Sequence, residues 1–433
     1  MEYSSSARAR VARFIGVIFA AALLAGSVSS SATHAQSAKT AAASAAPHLS
    51  TEELVKRKAW GTAIARTPAP KKGCFTASYP KTEWQEVPCG RPSPFPNLVR
   101  RPRSDTVGDS NDYSTQASSL ISSAVGTFAS VTPATITETG LVWTQIGCPP
   151  PICPPNRPNC VPQAPASGNW CTRPKADAFS LQLNSRPFEL NSQGTPPPSQ
   201  IAACWNGSAV CGWEQFVFSQ DGCPDGPCIF IQYWLLNYGP TSPTTAQASC
   251  ATPWMPSELV NWFCNSSSTI VPHVSAAQLQ ETTLTAIATG SGDTVSLTTA
   301  DAAAIAAPPT TDSMLELSQH WNAVEWNVVG DCCGFEANFS AGSRLVVNTN
   351  VNGGSAATCV QEGFTGETNN LSLVATAFQH STPPATVFTQ SNAGGGAPSC
   401  IFATQGAPPG KGHGGPGPCA AVPACPNAMA FDA

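Results

Sequence analysis

The sequence predicts an all-β chain folded as a two-sheet antiparallel β-sandwich or jelly roll, and three observations carry that expectation. Six segments alternate apolar and polar residues: FSLQLN (179–184), WEQFVFS (213–219), IFIQYWLLN (229–237), DTVSLTT (293–299), AVEWNVV (323–329) and SRLVVNTNV (343–351). Turn-forming residues separate them, with 34 Gly and 41 Pro among 433 residues. Helical periodicity is confined to short stretches around Thr51–Arg66 and Ser313–Asn322, too little for a Rossmann or TIM fold.

In chain order, residues 1–35 read as a secretory signal peptide. Arg8, Arg10 and Arg13 precede the apolar run FIGVIFAAALLAG, and small residues follow to Thr33 and Ala35. The run is short for a hydrocarbon layer of about 30 Å, and no later segment is longer and apolar, so no membrane span is expected. Export makes disulfides permissible. Of the 18 cysteines, Cys74/Cys89, Cys204/Cys211, Cys223/Cys228 and Cys250/Cys264 are close enough to close local loops. Cys148, Cys153, Cys160 and Cys171 sit in a Pro-rich stretch, and the adjacent Cys332 and Cys333 suggest separate partners or a vicinal bridge. Zinc-type Cys/His spacing is lacking, so neither a metal nor another cofactor is expected.

Residues 36–104 form a basic segment, read as a prosegment or linker with one disulfide loop. From Lys39 to Arg103 twelve Lys/Arg face four acids, a net +8; from Asp105 onward six face twenty-one, a net −15. The division falls at RRPRSD, Arg100 to Asp105. Opposite charge suggests a prosegment that docks on the acidic body and leaves when carboxylates protonate. Residues 105–391 hold the sandwich, and 392–433 a Gly/Pro-rich tail ordered mainly by its cysteines. With only 11% charged residues, a nucleic-acid partner is not expected, and an extracellular monomer is.

Strand parity locates the chemistry, because alternate residues face opposite sides. Val324, Trp326 and Val328 oppose Ala323, Glu325 and Asn327; Phe216 and Phe218 oppose Trp213, Gln215 and Val217. Gln182 and Asn184 share one face of FSLQLN, and Gln232 and Trp234 one face of IFIQYWLLN. With the apolar faces in the core, the other faces carry amides, aromatics and one carboxylate, Glu325. Glu214 shares a side with Phe216 and Phe218 and is expected at a strand end. HExxH, GxSxG, P-loop and GxGxxG patterns are missing, and His48, His273, His320, His380 and His413 have no catalytic neighbours in sequence.

The element order resembles the eqolisins, secreted glutamic peptidases. The likeness spans roughly 110–352, through Gln215 in WEQFVFS, the aromatic IFIQYWLLNYG, Glu325 in NAVEWNVVGD and the sequel FEANFSAGSRLVVNTNV. NDYSTQASSLISSAVGTFASVTP resembles that family's opening hairpin. The chain departs at Val324, where the family has Ala, and at Val329, where it has a second Glu. The resemblance implies a concanavalin-like sandwich that hydrolyses polypeptides in acid. Glu325 would serve as general base and acid, and Gln215 as donor to the oxyanion, with Gln182, Gln220 and Gln232 as the other available amides. Trp213, Gln182, Gln232 and Trp234, with Tyr233, would line or support the substrate groove. The same amide and aromatic face suits a non-catalytic, lectin-like glycan site, and a disulfide-stiffened structural protein is the third reading.

Overall fold

The computed structural model describes residues 50–99, 106–132, 135–142, 161–163, 169–173, 176–190, 198–243, 250–257, 260–309, 315–352, 357–376 and 384–403. The signal-peptide reading, the RRPRSD division, Cys148, Cys153, Cys160 and the tail from 404 lie outside them. Two large antiparallel sheets pack as a sandwich.

The first sheet runs β2 (Gln85–Val87), β1 (Gly73–Ser78), β17 (Ala302–Ala307), β16 (Gly292–Thr298), β15 (Thr283–Thr289), β4 (Ser123–Val131), β20 (Arg344–Asn352), β24 (Ala385–Ser391) and β23 (Ser372–Val374), with β25 (Cys400–Ala403) also on β24. The second runs β12 (Met255–Pro256), β13 (Trp262–Asn265), β11 (Cys228–Leu236), β10 (Cys211–Ser219), β8 (Ser180–Ser185), β18 (Ala323–Val329), β3 (Tyr113–Ala117) and β21 (Ala357–Gln361). Short β9 (Phe188–Glu189) and β14 (Thr269–Ile270) add to β10 and β11. A smaller sheet orders β22 (Thr368–Asn369), β19 (Glu336–Phe339), β5 (Ile136–Val142), β7 (Asn169–Arg173) and β6 (Val161–Gln163).

The core lies between the two large sheets and follows the parity read from sequence. Leu181, Leu183, Phe216, Phe218, Ile231, Val324, Trp326 and Val328 meet Ala124, Phe128, Leu284, Ala286, Leu297 and Val347. β4 is small where it meets the bulk of β18: a Cβ on Gly126 would lie 2.1 Å from the Trp326 indole. All six strands expected from alternation form, within two residues at each end.

Several expectations need correction. The segment read as an opening hairpin is a corner: β3 joins the second sheet and β4 the first, and they do not pair. Glu214 is not at a strand end. β10 starts at Cys211, opposite Leu236, which leaves Glu214 fully buried in mid-strand on the core side, across from Tyr233. Among the described residues of the stretch Ser313–Asn322, 315–322, the helical structure is the 3-10 turn Leu317–Gln319, while α2 (Pro198–Trp205) was not foreseen.

The basic segment is built into the fold. α1 (Thr51–Ala65) is capped by the Ser50 hydroxyl and packs Trp60 and Ile64 against Ala77 and Ala303. β1 pairs with β17 over six residues, so this segment supplies one edge of the first sheet. All four local disulfides expected from spacing form, and Cys359–Cys400 joins β21 to β25 across the two sheets. No helix among the described residues is long and apolar enough to cross a membrane.

Candidate active site

One register row of the second sheet is polar across six strands. Ser114 on β3 pairs with Glu325, Glu325 with Asn184, Asn184 with Gln215, Gln215 with Gln232, and Gln232 with Asn265. All six are buried. Antiparallel pairing in common register points these side chains to one face, opposite the sandwich core. Neighbouring strands are spaced by about 4.8 Å, so Glu325 and Gln215, two strands apart, are separated by about 10 Å between backbones.

The two residues assigned to catalysis by resemblance are linked through other amides. Gln215 donates through Nε2 to Gln182 Oε1 (3.2 Å), and Asn184 Nδ2 lies 3.2 Å from the same oxygen and 3.0 Å from Glu325 Oε2. Asn184 is thus the amide in contact with Glu325, and Gln182 is the hub, also receiving the Thr365 hydroxyl at 3.0 Å. Trp234 Nε1 donates to Gln215 Oε1 (2.9 Å) and Gln232 Oε1 (3.0 Å), which fixes both amide orientations. Trp213 packs beside Trp234 with ring centroids 5.8 Å apart and donates to the Ser185 carbonyl. Tyr233 lies on the opposite, core side.

Two segments cover this face, where an open groove was expected. A loop, Glu362–Glu367, closes over Glu325: the Phe364 and Thr365 backbone N–H groups both donate to Oε2 at 3.1 Å. The second cover is an irregular strap, Arg91–Val99, from the basic segment, with bends at Pro94 and Phe95. Asn97 N–H donates to Gln232 Oε1 (2.7 Å), and Gln232 Nε2 donates to the Phe95 carbonyl (3.1 Å). Asn265 Nδ2 donates to the Ser93 carbonyl (2.7 Å). At the far end Leu98 N–H donates to Glu367 Oε1 (2.7 Å), Gly366 N–H donates to the Leu98 carbonyl (2.7 Å), and Val99 bridges Thr365. A Cβ on Gly366 would sit 2.5 Å from the Val99 carbonyl oxygen, so glycine permits this approach. No strap hydrogen bond ends on Gln215 or Glu325 among the described residues. The strap instead fastens the loop that caps Glu325.

Charge contributes little to this docking. Among the described residues one ion pair joins the strap to the body, Arg91–Asp225, and it is largely solvent-exposed. The rest is main chain against side-chain amides and Glu367.

Burial drives the site's proton affinity. It pushes the Glu325 carboxyl up to about 7, against hydrogen bonds from Asn184, Phe364, Thr365 and Asp112 that favour the charged form. It pushes Glu367 up to about 7 as well, against donors from Thr365, Leu98, Gly334 and Gln182. Asp112 is raised well above the usual range, first by burial and then by the charge of Glu325. Among the described residues no group of His, Cys, Asp and Glu is arranged to hold a metal.

The second sheet brings together all six residues singled out from sequence: Gln215, Glu325, Trp213, Gln182, Gln232 and Trp234. Four site residues were not foreseen. Asn265 stands on the four-residue β13, and Asp112, Thr365 and Glu367 stand in loops without periodicity, so no pattern marks them. Comparisons with protein-family models, with curated proteins and with solved structures find no match.

Proposed function

We propose that this chain is a secreted endopeptidase of the glutamic type, made as a latent precursor whose own strap closes the cleft. The observation that carries the reading is the way the second sheet holds Arg91–Val99. Gln232 accepts a backbone N–H and donates to a backbone carbonyl two residues away, and Asn265 takes a further carbonyl. Recognition of main-chain N–H and carbonyl groups by side-chain amides suits a polypeptide substrate of varied sequence. It favours a peptide over a glycan, whose hydroxyls offer no alternating N–H and carbonyl.

In the opened site Glu325 removes a proton from water as the oxygen attacks the scissile carbonyl. Gln215, held by Trp234, donates to the developing oxyanion, a role worth about 3–4 kcal/mol in comparable sites. Glu325 then returns the proton to the departing amine as the C–N bond breaks, so water is the only co-reactant. Strap removal also prepares the base. Burial is the main cause of the raised Glu325 carboxyl, and rehydration brings it back toward the ordinary range, ionised in mild acid.

A permanently closed structural sandwich is the competing reading, favoured by the full burial of Glu325 and Gln215. One experiment separates them: cut the purified chain at an engineered protease site between Val99 and Thr106, then assay casein cleavage at about pH 4, where an ordinary Glu is partly ionised. Cleavage that is insensitive to chelators and to serine and cysteine reagents, and abolished by Glu325→Gln, is expected. Inertness of the cut chain, or retained activity in Glu325→Gln, rejects the peptidase.

A further inference from the structure

Glu325 has a second carboxyl at its back. Its Oε2 takes three N–H donors, while Oε1 is buried with no hydrogen-bond donor. Asp112, one residue before β3, is in hydrogen-bonding contact with Glu325 and is itself fully buried. Its two oxygens already accept from Tyr113 N–H (2.7 Å) and Asn327 Nδ2 (2.7 Å). Two ionised carboxyls in contact, out of water, repel strongly, so a stable contact requires a proton between them.

The other ionisable groups on the surrounding elements do not supply an alternative. Tyr113 follows Asp112 on β3, Asp109 lies in the preceding turn, Glu362 and Glu367 belong to the closing loop, and Arg186, set against Glu362, follows β8. No cation acts on Asp112 among the described residues.

We propose that Asp112 is the proton-holding partner of Glu325, a positioning residue that stays a neutral acid and donates to the Glu325 carboxylate. Its role in catalysis rests on Glu325 being the base of the proposed hydrolysis; the shared proton does not. In the closed chain the pair holds at least one proton. In the opened site Asp112 keeps it, and Glu325 ionises with Asn184 and Asp112 as its donors once the loop N–H groups have left.

The test follows the carboxyl carbons of the full chain, labelled with 13C in Asp and Glu, by NMR from about pH 9 to about pH 4. In the wild type the Asp112 and Glu325 signals should move together in two common steps. In Asp112→Asn, which keeps a neutral donor on Glu325 and removes the second carboxyl, Glu325 should titrate in a single step. In Asp112→Ala, which removes the donor, it should titrate higher than in the Asn variant by about one unit or more, a tenfold change in ionised fraction. Independent single-step titrations in the wild type, or one unchanged Glu325 midpoint in all three chains, overturn the proposal. The wild-type measurement decides even where a variant fails to fold.

After the strap is cut, Asp112→Asn should extend peptide cleavage to higher pH by about one unit, because no second carboxyl is left to ionise beside Glu325. A merely structural Asp112 would leave that limb in place. A shared proton in an inert chain refutes the peptidase alone, and activity with independent carboxyls refutes the pairing alone.

Discussion

Acidification from neutral pH should stabilise this protein, the reverse of ordinary acid denaturation. Glu325 and Glu367 are fully buried and raised from 4.5 to about 7 in the folded chain. Between those values the folded state holds protons that the unfolded chain has released, so stability falls as pH rises through the window and is fully present below it. Each pKa unit corresponds to about 1.4 kcal/mol, so each group contributes at most about 3 kcal/mol. Asp112 adds in the same direction. The lowered Asp225 acts oppositely, but it is exposed and matters only as pH falls below the usual carboxylate range. Urea unfolding of the intact chain at intervals between about pH 8 and pH 4.5 measures the effect, provided unfolding is reversible and two-state. The unfolding free energy should rise by several kcal/mol toward acid, and Glu367→Gln should remove roughly a third of that slope, Glu325 and Asp112 supplying the rest. A stability that rises with pH across this window, or a slope unchanged in Glu367→Gln, would refute the assignment of buried proton-holding carboxyls.

Three further outcomes are expected. Gly126→Ala should lower stability by about 1–3 kcal/mol by thermal or urea unfolding, because its methyl would enter the Trp326 ring and one of two packed sheets must shift. Replacing Cys359 and Cys400 together by Ala should cost about 4 kcal/mol, from the entropy of closing a loop with a sequence separation of 41, and is checked the same way. Acidification alone should leave the uncut chain inert toward casein, whereas a cut between Val99 and Thr106 followed by acid should release activity.

The sandwich was legible because its strands obey one rule along their length. FSLQLN, WEQFVFS and AVEWNVV alternate, so parity named both the core side and the polar side before any pairing was known. Register was not legible. Nothing in the sequence says that Glu325 sits level with Asn184 and Gln215, because register is set by partners distant in the chain. Burial of the polar side was equally hidden. An amide-rich strand face reads as solvated, and only the path of Arg91–Val99 and the loop Glu362–Glu367 closes it off from water. The basic segment was read by its charge, whereas among the described residues its helix and β1 dock mainly by Trp60, Ile64 and backbone pairing, and its strap by amides.

That difference decides how the cleft could open. A strap held by charge would leave when carboxylates protonate, as the charge division suggested. A strap that buries carboxyls behaves oppositely. With the strap docked, Glu367 and Glu325 bind protons up to about pH 7; with it gone, water reaches both and their affinity falls toward the ordinary carboxylate value. Between those values the docked form binds more protons, so by linkage docking tightens as the medium acidifies. Only Arg91–Asp225 weakens in acid, and its exposure keeps that contribution small. Acid by itself therefore favours the closed chain, and under the proposed function opening starts from a covalent cut beyond Val99. A cut turns the strap into a chain end, so Leu98 and Val99 can peel from Gly366 and Glu367 and release the loop from Glu325. Under the proposed function, the covalent cut unlocks the site and acid then suits the chemistry, in that order.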